Sequence, residues 1–321
     1  MAQPLAFRKL TPFDISLMRP CIADLTYPGY TWEDGFVLAD ALKQAAGVMQ
    51  AKGLAAAGYT YLDLDDCIVV GRDANGTLIP DPQAFPDGMR ALSDWAHGHG
   101  FKLGAYTDRG ELTCSCWAGG LKRPGSYGHE KQDAAWYAAN GIDALKEDSC
   151  NVPTGAPPAM QQYAIMRDAL NATGRPVFFN LCWASPSSAM TGRAVGNEWR
   201  IGEDDGGGWG PILVNVNTDE RLAGYSGCVP TPQGLSCGFN DPGLLLVGSP
   251  ELTAAQSRSH MGLWAILAAK LLISVGEQAA AATRAPRPRT RRAQRARLCA
   301  RQSSEFGGMQ AGRNLDEGVC H

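Results

Sequence analysis

The sequence lacks several features that would assign it to a common functional class. None of its apolar runs approaches the ~20 residues of a membrane-spanning helix, and residues 1–26 lack the apolar core of a signal peptide. No Gly-x-Gly-x-x-Gly follows the first predicted strand, and no Gly-x-x-x-x-Gly-Lys occurs, so a nucleotide-binding fold has little support. We therefore expect neither membrane association nor a cofactor.

Histidine is scarce, and the ten cysteines do not have the spacing of a zinc site. Cys114-Ser-Cys116 and Cys228…Cys237 have no matched partner pair and no histidine cluster. Ten cysteines are many for a cytosolic enzyme, so we expect two or three disulfides in a secreted protein or another oxidising compartment. Cys228 and Cys237, which flank a loop rich in Pro and Gly, are one candidate pair.

Negative charge exceeds positive charge over most of the chain. The net charge is −3, yet residues 284–321 hold nine Arg and no Lys against three acidic residues, so the rest of the chain is acidic. An acidic body argues against nucleic acid as a partner. The sequence does not indicate an oligomeric state. The basic, low-complexity tail is expected to be disordered.

What is present is a repeated strand and helix unit. Helices are predicted over 37–57, 88–99, 130–139, 160–172, 186–195 and 253–269, and strands over 29–32, 59–64, 101–106, 144–147, 177–181, 198–201, 235–239 and 271–274. Eight such strands within ~250 residues fit an α/β fold of the (β/α)8 TIM barrel type better than an open, doubly wound sheet. The predicted parts are a divergent N-terminal segment, the barrel and the basic tail, over 1–28, 29–280 and 281–321.

Polar residues gather at the ends of the predicted strands, and in a barrel those ends meet at one face, where active sites lie. They are Asp65, Asp66, Tyr106, Asp108, Lys146, Asp148, Cys182, Trp183, Arg200, Asp204 and Asp241. Packing alone does not explain so many carboxylates on one rim. Lys146 and Arg200 among them count against a hard-metal site, so no metal is expected.

Carboxylates mixed with basic and aromatic residues suit the hydrolysis of a glycosidic bond. One carboxylate attacks the anomeric carbon, and a second, held protonated, donates to the leaving oxygen. The remaining charged residues, Asp241 among them, are expected to bind sugar hydroxyls. Trp32, Trp183 and Tyr106 are candidates for the apolar faces against which the sugar ring packs.

Seven motifs, in order over about residues 29–274, give the sequence a specific resemblance. They are Gly58-Tyr-Thr-Tyr-Leu-Asp-Leu-Asp-Asp-Cys67, Phe85-Pro-Asp-Gly-Met89, Lys102-Leu-Gly-Ala-Tyr-Thr-Asp108, Thr113-Cys114, Leu145-Lys-Glu-Asp-Ser-Cys150, Gly196-Asn-Glu-Trp-Arg200 and Phe239-Asn-Asp-Pro242. The chain resembles glycoside hydrolase family 27, the α-galactosidase or melibiase family. The resemblance implies a (β/α)8 barrel followed by a β-sandwich. It also implies retaining, metal-free hydrolysis of terminal α-D-galactosyl residues through a covalent glycosyl-enzyme.

The resemblance also implies roles for single residues. Asp148 matches the nucleophile, and Asp204, four residues after Arg200, matches the acid/base. Cys114 and Cys150 match a disulfide beside the nucleophile. The positions that match sugar contacts are Asp65, Asp66, Tyr106, Lys146, Cys182, Trp183 and Arg200.

The sequence departs from the family at the first strand and after Cys182. Only Gly29–Trp32 remains of the usual opening strand, and the cysteine that pairs with the Cys67 position is absent there, so Cys67 is either free or bonded to Cys21. Trp183-Ala184 follows Cys182 where the family often has Glu-Trp-Gly, a loop that helps to select galactose over N-acetylgalactosamine. An α-N-acetylgalactosaminidase therefore stays open as an alternative.

The largest departure follows Ser274, where the resemblance ends and the Arg-rich tail begins. One explanation is a basic arm for an acidic partner. The other, which we favour, is a translated reading-frame slip, because it explains why the resemblance stops so abruptly. A catalytically silent sugar-binding barrel is the alternative function of another class.

Overall fold

The computed structural model describes residues 13–17 (backbone only), 38–115, 121–204, 208–232, 234–249 and 251–274. The predicted strand at 29–32, the candidate Trp32 and the basic tail lie outside these ranges, so what the sequence predicts for them stays a prediction. In the described part, no helix combines the length and apolar character that crossing a membrane requires.

A ring of parallel strands forms the centre of the fold. The strands of the described chain are β1 (Phe13–Leu17), β2 (Tyr59–Leu64), β3 (Val69–Arg72), β4 (Leu78–Pro80), β5 (Lys102–Asp108), β6 (Ala144–Asp148), β7 (Phe178–Leu181), β8 (Glu198–Arg200), β9 (Gly227–Thr231), β10 (Gly234–Asp241) and β11 (Leu271–Ser274). Outside the ring, β3 and β4 form a separate antiparallel pair, and β9 pairs antiparallel with β10. The order β11-β1-β2-β5-β6-β7-β8-β10 is parallel throughout. Leu245, just after β10, bridges Ile273 of β11 and closes the ring. The predicted (β/α)8 barrel is confirmed.

Helices between the strands cover the outer face of this ring. They span Leu38–Ala51, Gly88–Gly98, Glu130–Ala139, Ala159–Ala172, Ser188–Gly192, Trp209–Leu222 and Ala254–Leu267. Alternate residues of a strand point to opposite faces, so Leu62, Leu103 and Leu145 face outwards, where they share one core with Leu42 and Met166 of the helices. Burying each such side chain contributes about 1.5–3 kcal/mol, which holds the helices against the barrel.

The inner face of the barrel carries a layer of charge below the carboxyl ends of the strands. The Lys270 Nζ lies 3.4 Å from Asp63 Oδ2 and 3.6 Å from Glu198 Oε2. Asp63 fits there because Gly104, its neighbour on β5, has no side chain, and a Cβ at Gly104 would lie 1.8 Å from Asp63 Oδ1. Burial raises the pKa of Asp63, and it raises the pKa of Glu198 to about 7.

The structure adds a barrel strand before the predicted first strand, whose residues 29–32 lie outside the described part of the chain. β1 lies at Phe13–Leu17, within the segment 1–28 that the sequence set apart from the barrel, and it pairs with β2 and β11. The prolines of residues 1–28 argue against a strand in the sequence. Pro12 and Pro20, however, flank the alternating segment Phe-Asp-Ile-Ser-Leu and do not interrupt it. Sequence reasoning also missed the β3–β4 hairpin, the helix Trp209–Leu222 and β9.

Candidate active site

Four side chains from three strands meet at the carboxyl ends of the barrel. The Lys146 Nζ lies 2.9 Å from Asp65 Oδ2 and 3.6 Å from Asp148 Oδ2. The Tyr106 hydroxyl donates to the same Asp148 oxygen at 3.0 Å, and the Lys146 ammonium lies 5.1 Å from the centre of the Tyr106 ring. Tyr106 and Lys146 are register partners on β5 and β6, which explains why their side chains adjoin.

The charges of this cluster act on the pKa values of Lys146 and Tyr106. Partial burial alone would lower the pKa of Lys146, but the charges of Asp65 and Asp148 outweigh it and raise that pKa well above its ordinary value. Burial and the charge on Asp148 raise the pKa of Tyr106, so its phenol keeps the proton that it donates. Asp148 therefore faces one ammonium and one phenol donor, and its side chain is 19% exposed.

Backbone amides fix the carboxylates that follow β2. Asp66 Oδ1 accepts from the Cys67 N–H at 2.6 Å, and its Oδ2 accepts from the Ser115 N–H at 2.8 Å. Asp65 Oδ1 accepts from the Asp66 N–H at 2.8 Å, which leaves Oδ2 for Lys146. Cys67 adopts a φ of 71°, so this turn has a conformation that non-glycine residues rarely adopt.

Two loops join beside Asp148 through a disulfide. Cys114 and Cys150 are bonded, as the family resemblance implied, and so are Cys228 and Cys237 on the paired strands β9 and β10. Cys67 is disulfide-bonded as well, which removes the alternative of a free thiol there. These bonds fit an oxidising compartment.

The group formed by Asp108, Cys114, Asp148 and Cys150 brings its potential ligand atoms within 4.8 Å of one another. Metal ligation by cysteine needs a thiolate, and both of these sulfurs are already bonded to each other. The group therefore does not fit a thiolate metal centre.

Cys182 follows β7 and lies among the charged side chains of the site. It is a buried free thiol at the end of β7, and burial raises its pKa well above the ordinary value. The charges of Asp148, Lys146, Arg200 and Asp241 all act on it. Trp183, the next residue, is half-buried and packs against the core.

Arg200 and Asp204 form a second pair. The Arg200 Nη2 lies 3.0 Å from Asp204 Oδ1, and the guanidinium side chain is 5% exposed whereas the Asp204 side chain is 93% exposed. Arg200 also donates to the carbonyl oxygen of Glu203 at 2.9 Å. A buried arginine thus anchors a carboxylate that projects into solvent.

Asp241, at the end of β10, accepts from the Gly243 N–H at 2.9 Å and from the Asn180 amide at 3.4 Å. The role of Asn180 was missed in the sequence, although it occupies the inner-facing position two residues before Cys182. Sequence reasoning placed Asp108 on the rim but gave it no role. The structure shows it fully buried, with both oxygens bound to backbone amides.

Comparison with known proteins gives one consistent result. The Melibiase_2 family model, described as alpha galactosidase A, matches residues 33–285. The α-galactosidase of Coffea arabica is 40% identical over 234 residues, which cover 72% of this chain and 58% of that protein. The α-galactosidase of Oryza sativa is 37% identical over 234 residues, covering 72% and 52%.

Solved structures agree with the sequence matches. The α-galactosidase of Saccharomyces cerevisiae superposes with a TM-score of 0.68 at 28% identity, covering 83% of this chain and 59% of that one. This chain spans just over half the length of the curated relatives named above. The motif order, the closed barrel and the family match agree, and the chain belongs to glycoside hydrolase family 27, the melibiase family.

Proposed function

We propose that this chain is a retaining α-galactosidase that hydrolyses terminal α-D-galactosyl residues through a covalent glycosyl-enzyme on Asp148. The observation that carries the proposal is the setting of Asp148 at the carboxyl end of β6. Its Oδ2 accepts from Tyr106 at 3.0 Å, its Oδ1 accepts from the Ser149 N–H at 2.9 Å, and Lys146 lies 3.6 Å away. These contacts orient the Asp148 side chain for attack.

The proposed first step is attack of an Asp148 oxygen on the anomeric carbon, with departure of the aglycone oxygen. Asp204 would protonate that oxygen and then, as a base, take the proton from the water that releases galactose. Its exposure suits a group that exchanges protons with solvent, and Arg200 restrains its position. No metal is needed for either step.

Polar groups around Asp148 would hold the sugar. Asp65 and Lys146 form an ion pair that offers both acceptors and donors to neighbouring hydroxyls, and Asp66, Cys182, Arg200 and Asp241 are further candidates. Trp183 is the candidate apolar surface. The yeast α-galactosidase has been solved with raffinose, and we propose the same class of substrate, an α-galactoside, for this chain.

The test is hydrolysis of a nitrophenyl α-galactoside and of raffinose, with proton NMR of the first anomer released. We expect α-galactose first, because two displacements retain configuration. Release of β-galactose would contradict the covalent intermediate. Binding without turnover would favour the catalytically silent sugar-binding barrel, a preference for the N-acetylgalactosaminide would favour the alternative specificity, and loss of activity with chelator would indicate metal.

A further inference from the structure

Asp108 lies beside the proposed nucleophile but cannot contact a sugar directly. It ends β5 and is the register partner of Asp148 at the end of β6. The side chain is 0% exposed, and the chain's own amides occupy both of its oxygens. Oδ1 accepts from the Gly110 N–H at 2.7 Å, and Oδ2 accepts from the Cys150 N–H at 2.8 Å. A carboxyl bound in this way acts on the geometry of the loops around it.

The turn after Asp148 directs two successive N–H groups at two carboxyls. The Ser149 N–H donates to Asp148 Oδ1, and the Cys150 N–H donates to Asp108 Oδ2. Neighbouring peptide planes are linked by only two soft torsions, so fixing the second N–H restricts the direction of the first. We propose that Asp108 is a positioning residue for Asp148, acting through the Cys150 amide. The inference rests on the proposed role of Asp148 as nucleophile.

Residues next to Asp108 hold the same turn. The Arg109 N–H donates to the Asp148 carbonyl oxygen at 3.0 Å, and Arg109 Nε donates to Ser149 Oγ at 2.8 Å. At Gly110 a Cβ would lie 2.0 Å from the Cys150 carbonyl oxygen, so a larger residue would push the two loops apart. The end of β5 therefore holds the nucleophile turn through three consecutive residues. Asp108 is the one whose contact can be altered without a change of size.

The charge on Asp108 supports this role. Burial raises its pKa to about 8, the hydrogen bond from Cys150 lowers it, and the charge on Asp148 raises it again. Asp108 therefore holds its proton more tightly than an ordinary aspartic acid does. Ionisation at higher pH would place a second negative charge beside the nucleophile.

Asp108→Asn tests the inference, because the variant keeps the size and neutrality of the protonated acid but replaces one acceptor oxygen with an amide that cannot accept. We expect kcat on the nitrophenyl α-galactoside to fall by about 10²-fold with KM unchanged, the scale of a small misplacement of a reacting group. A fluorinated galactosyl fluoride, which traps the covalent intermediate, should label Asp148 more slowly but still to one per chain. Hydrogen exchange of the peptide 145–152 should be faster.

Asp81→Asn is the matched control. Asp81 is also buried. Its Oδ1 accepts from the Gln83 and Ala84 amides at 2.9 and 3.3 Å, neither of which belongs to the turn after Asp148, and its Oδ2 lies 3.6 Å from Arg123 Nη2. The Asp81→Asn variant should be less stable than the wild type but have the same labelling rate and the same hydrogen exchange in peptide 145–152.

The outcomes separate the inference from the proposed function. A wild-type chain that is neither active nor labelled refutes the proposed function. In that case, the hydrogen exchange of peptide 145–152 in Asp108→Asn, compared with the wild type, still tests whether Asp108 holds the turn. If exchange is unchanged in Asp108→Asn, the inference is wrong. It is also wrong if the labelling rate equals that of the wild type and only the labelled fraction falls, because that result reflects lost folded protein.

Discussion

At the scale of single residues, the two proposed catalytic carboxylates stand in opposite environments. Asp148 is mostly enclosed and receives donors on both oxygens, whereas Asp204 is almost fully exposed and is restrained by one arginine. Enclosure and fixed donors suit a nucleophile, since they orient one lone pair at the sugar. Exposure suits a group that gains and loses a proton in each cycle.

The two roles predict different substrate dependence. Asp148→Asn should abolish turnover of every substrate, because no covalent bond to the sugar can form. Asp204→Asn should slow raffinose far more than an activated nitrophenyl galactoside, whose leaving group needs little protonation. Steady-state kinetics with both substrates checks this, and equal losses on the two would argue against Asp204 as the acid.

Tyr106 gives a second prediction at this scale. Tyr106→Phe removes the donor to Asp148, and a hydrogen bond to a charged group contributes about 1.5–3 kcal/mol, so kcat/KM should fall about 10- to 100-fold. Tyr137→Phe is the control, because the Tyr137 hydroxyl donates to the Tyr106 carbonyl oxygen at 3.3 Å and not to the carboxylates. Similar kinetic losses in both variants would mean that Tyr106 acts through packing.

At the scale of elements, the sequence predicted those parts whose burial follows a regular period. The strand 59–64 and the helix 130–139 were predicted with the observed bounds. The helix Trp209–Leu222 was missed because two of its three buried residues, Asn215 and Asp219, are polar. Asn215 donates to Glu203 and Asp219 accepts from Asn240, so hydrogen bonds replace the apolar stripe that the sequence pattern requires.

Part of the candidate site was also predicted from a regular feature of the fold. Residues at strand ends were predicted because a parallel barrel brings those ends together, and Asp65, Tyr106, Lys146 and Asp148 form one contacting cluster. The contact between Asp108 and the Cys150 amide could not be predicted. It depends on the conformation of two loops, which side-chain periodicity does not encode.

The loop disulfide gives a prediction for the elements that it joins. Cys114 and Cys150 are 36 residues apart, and chain entropy at that length corresponds to about 3–4 kcal/mol. The double Ser variant should unfold at lower urea and lose activity, since the bond adjoins the nucleophile turn. Cys228 and Cys237, 9 residues apart, supply the control, with a smaller stability loss of about 2.5 kcal/mol and full activity. Two equally active double variants would contradict a role for the first bond in the site.

At the scale of the whole molecule, the charged layer inside the barrel is the feature most sensitive to conditions. Lys270→Met should leave Asp63 and Glu198 without their cation, at a cost of about 3–5 kcal/mol where both are ionised. At pH 5 the cost should be smaller, because the pKa of Glu198, about 7, favours its neutral form there. Urea unfolding at pH 5 and pH 8 measures both values. Adding Glu198→Gln should recover part of the loss at pH 8, and an equal cost at the two pH values would contradict this account.

Stability as a whole should fall as the pH rises from 5 to 8. Burial raises the pKa of Asp219 to about 6, of Glu198 to about 7 and of Asp108 to about 8. A folded state that holds protons more tightly than the unfolded chain is stabilised below the unfolded pKa, and this stability is lost as the pH passes through the folded pKa. His260, whose pKa burial lowers to about 4, acts in the opposite direction below its ordinary 6.5.

Thermal unfolding between pH 5 and pH 8 measures this balance. The midpoint should be highest near pH 5, where the carboxyl groups with raised pKa values outweigh one histidine. Glu198→Gln should reduce the slope, because it removes one of the titrating groups. A midpoint that rises steadily to pH 8 would contradict the assignment.

The single bridge between Leu245 and Ile273 makes one side of the barrel unlike the others. Where β5 meets β6, five successive residue pairs are in register, but the passage from β10 to β11 depends on that one bridge in the described part of the chain. Regions of a protein with few local contacts open at a lower free energy than its well-connected core. The barrel should therefore open first between β10 and β11, while β5, β6 and the carboxylates at their ends stay together.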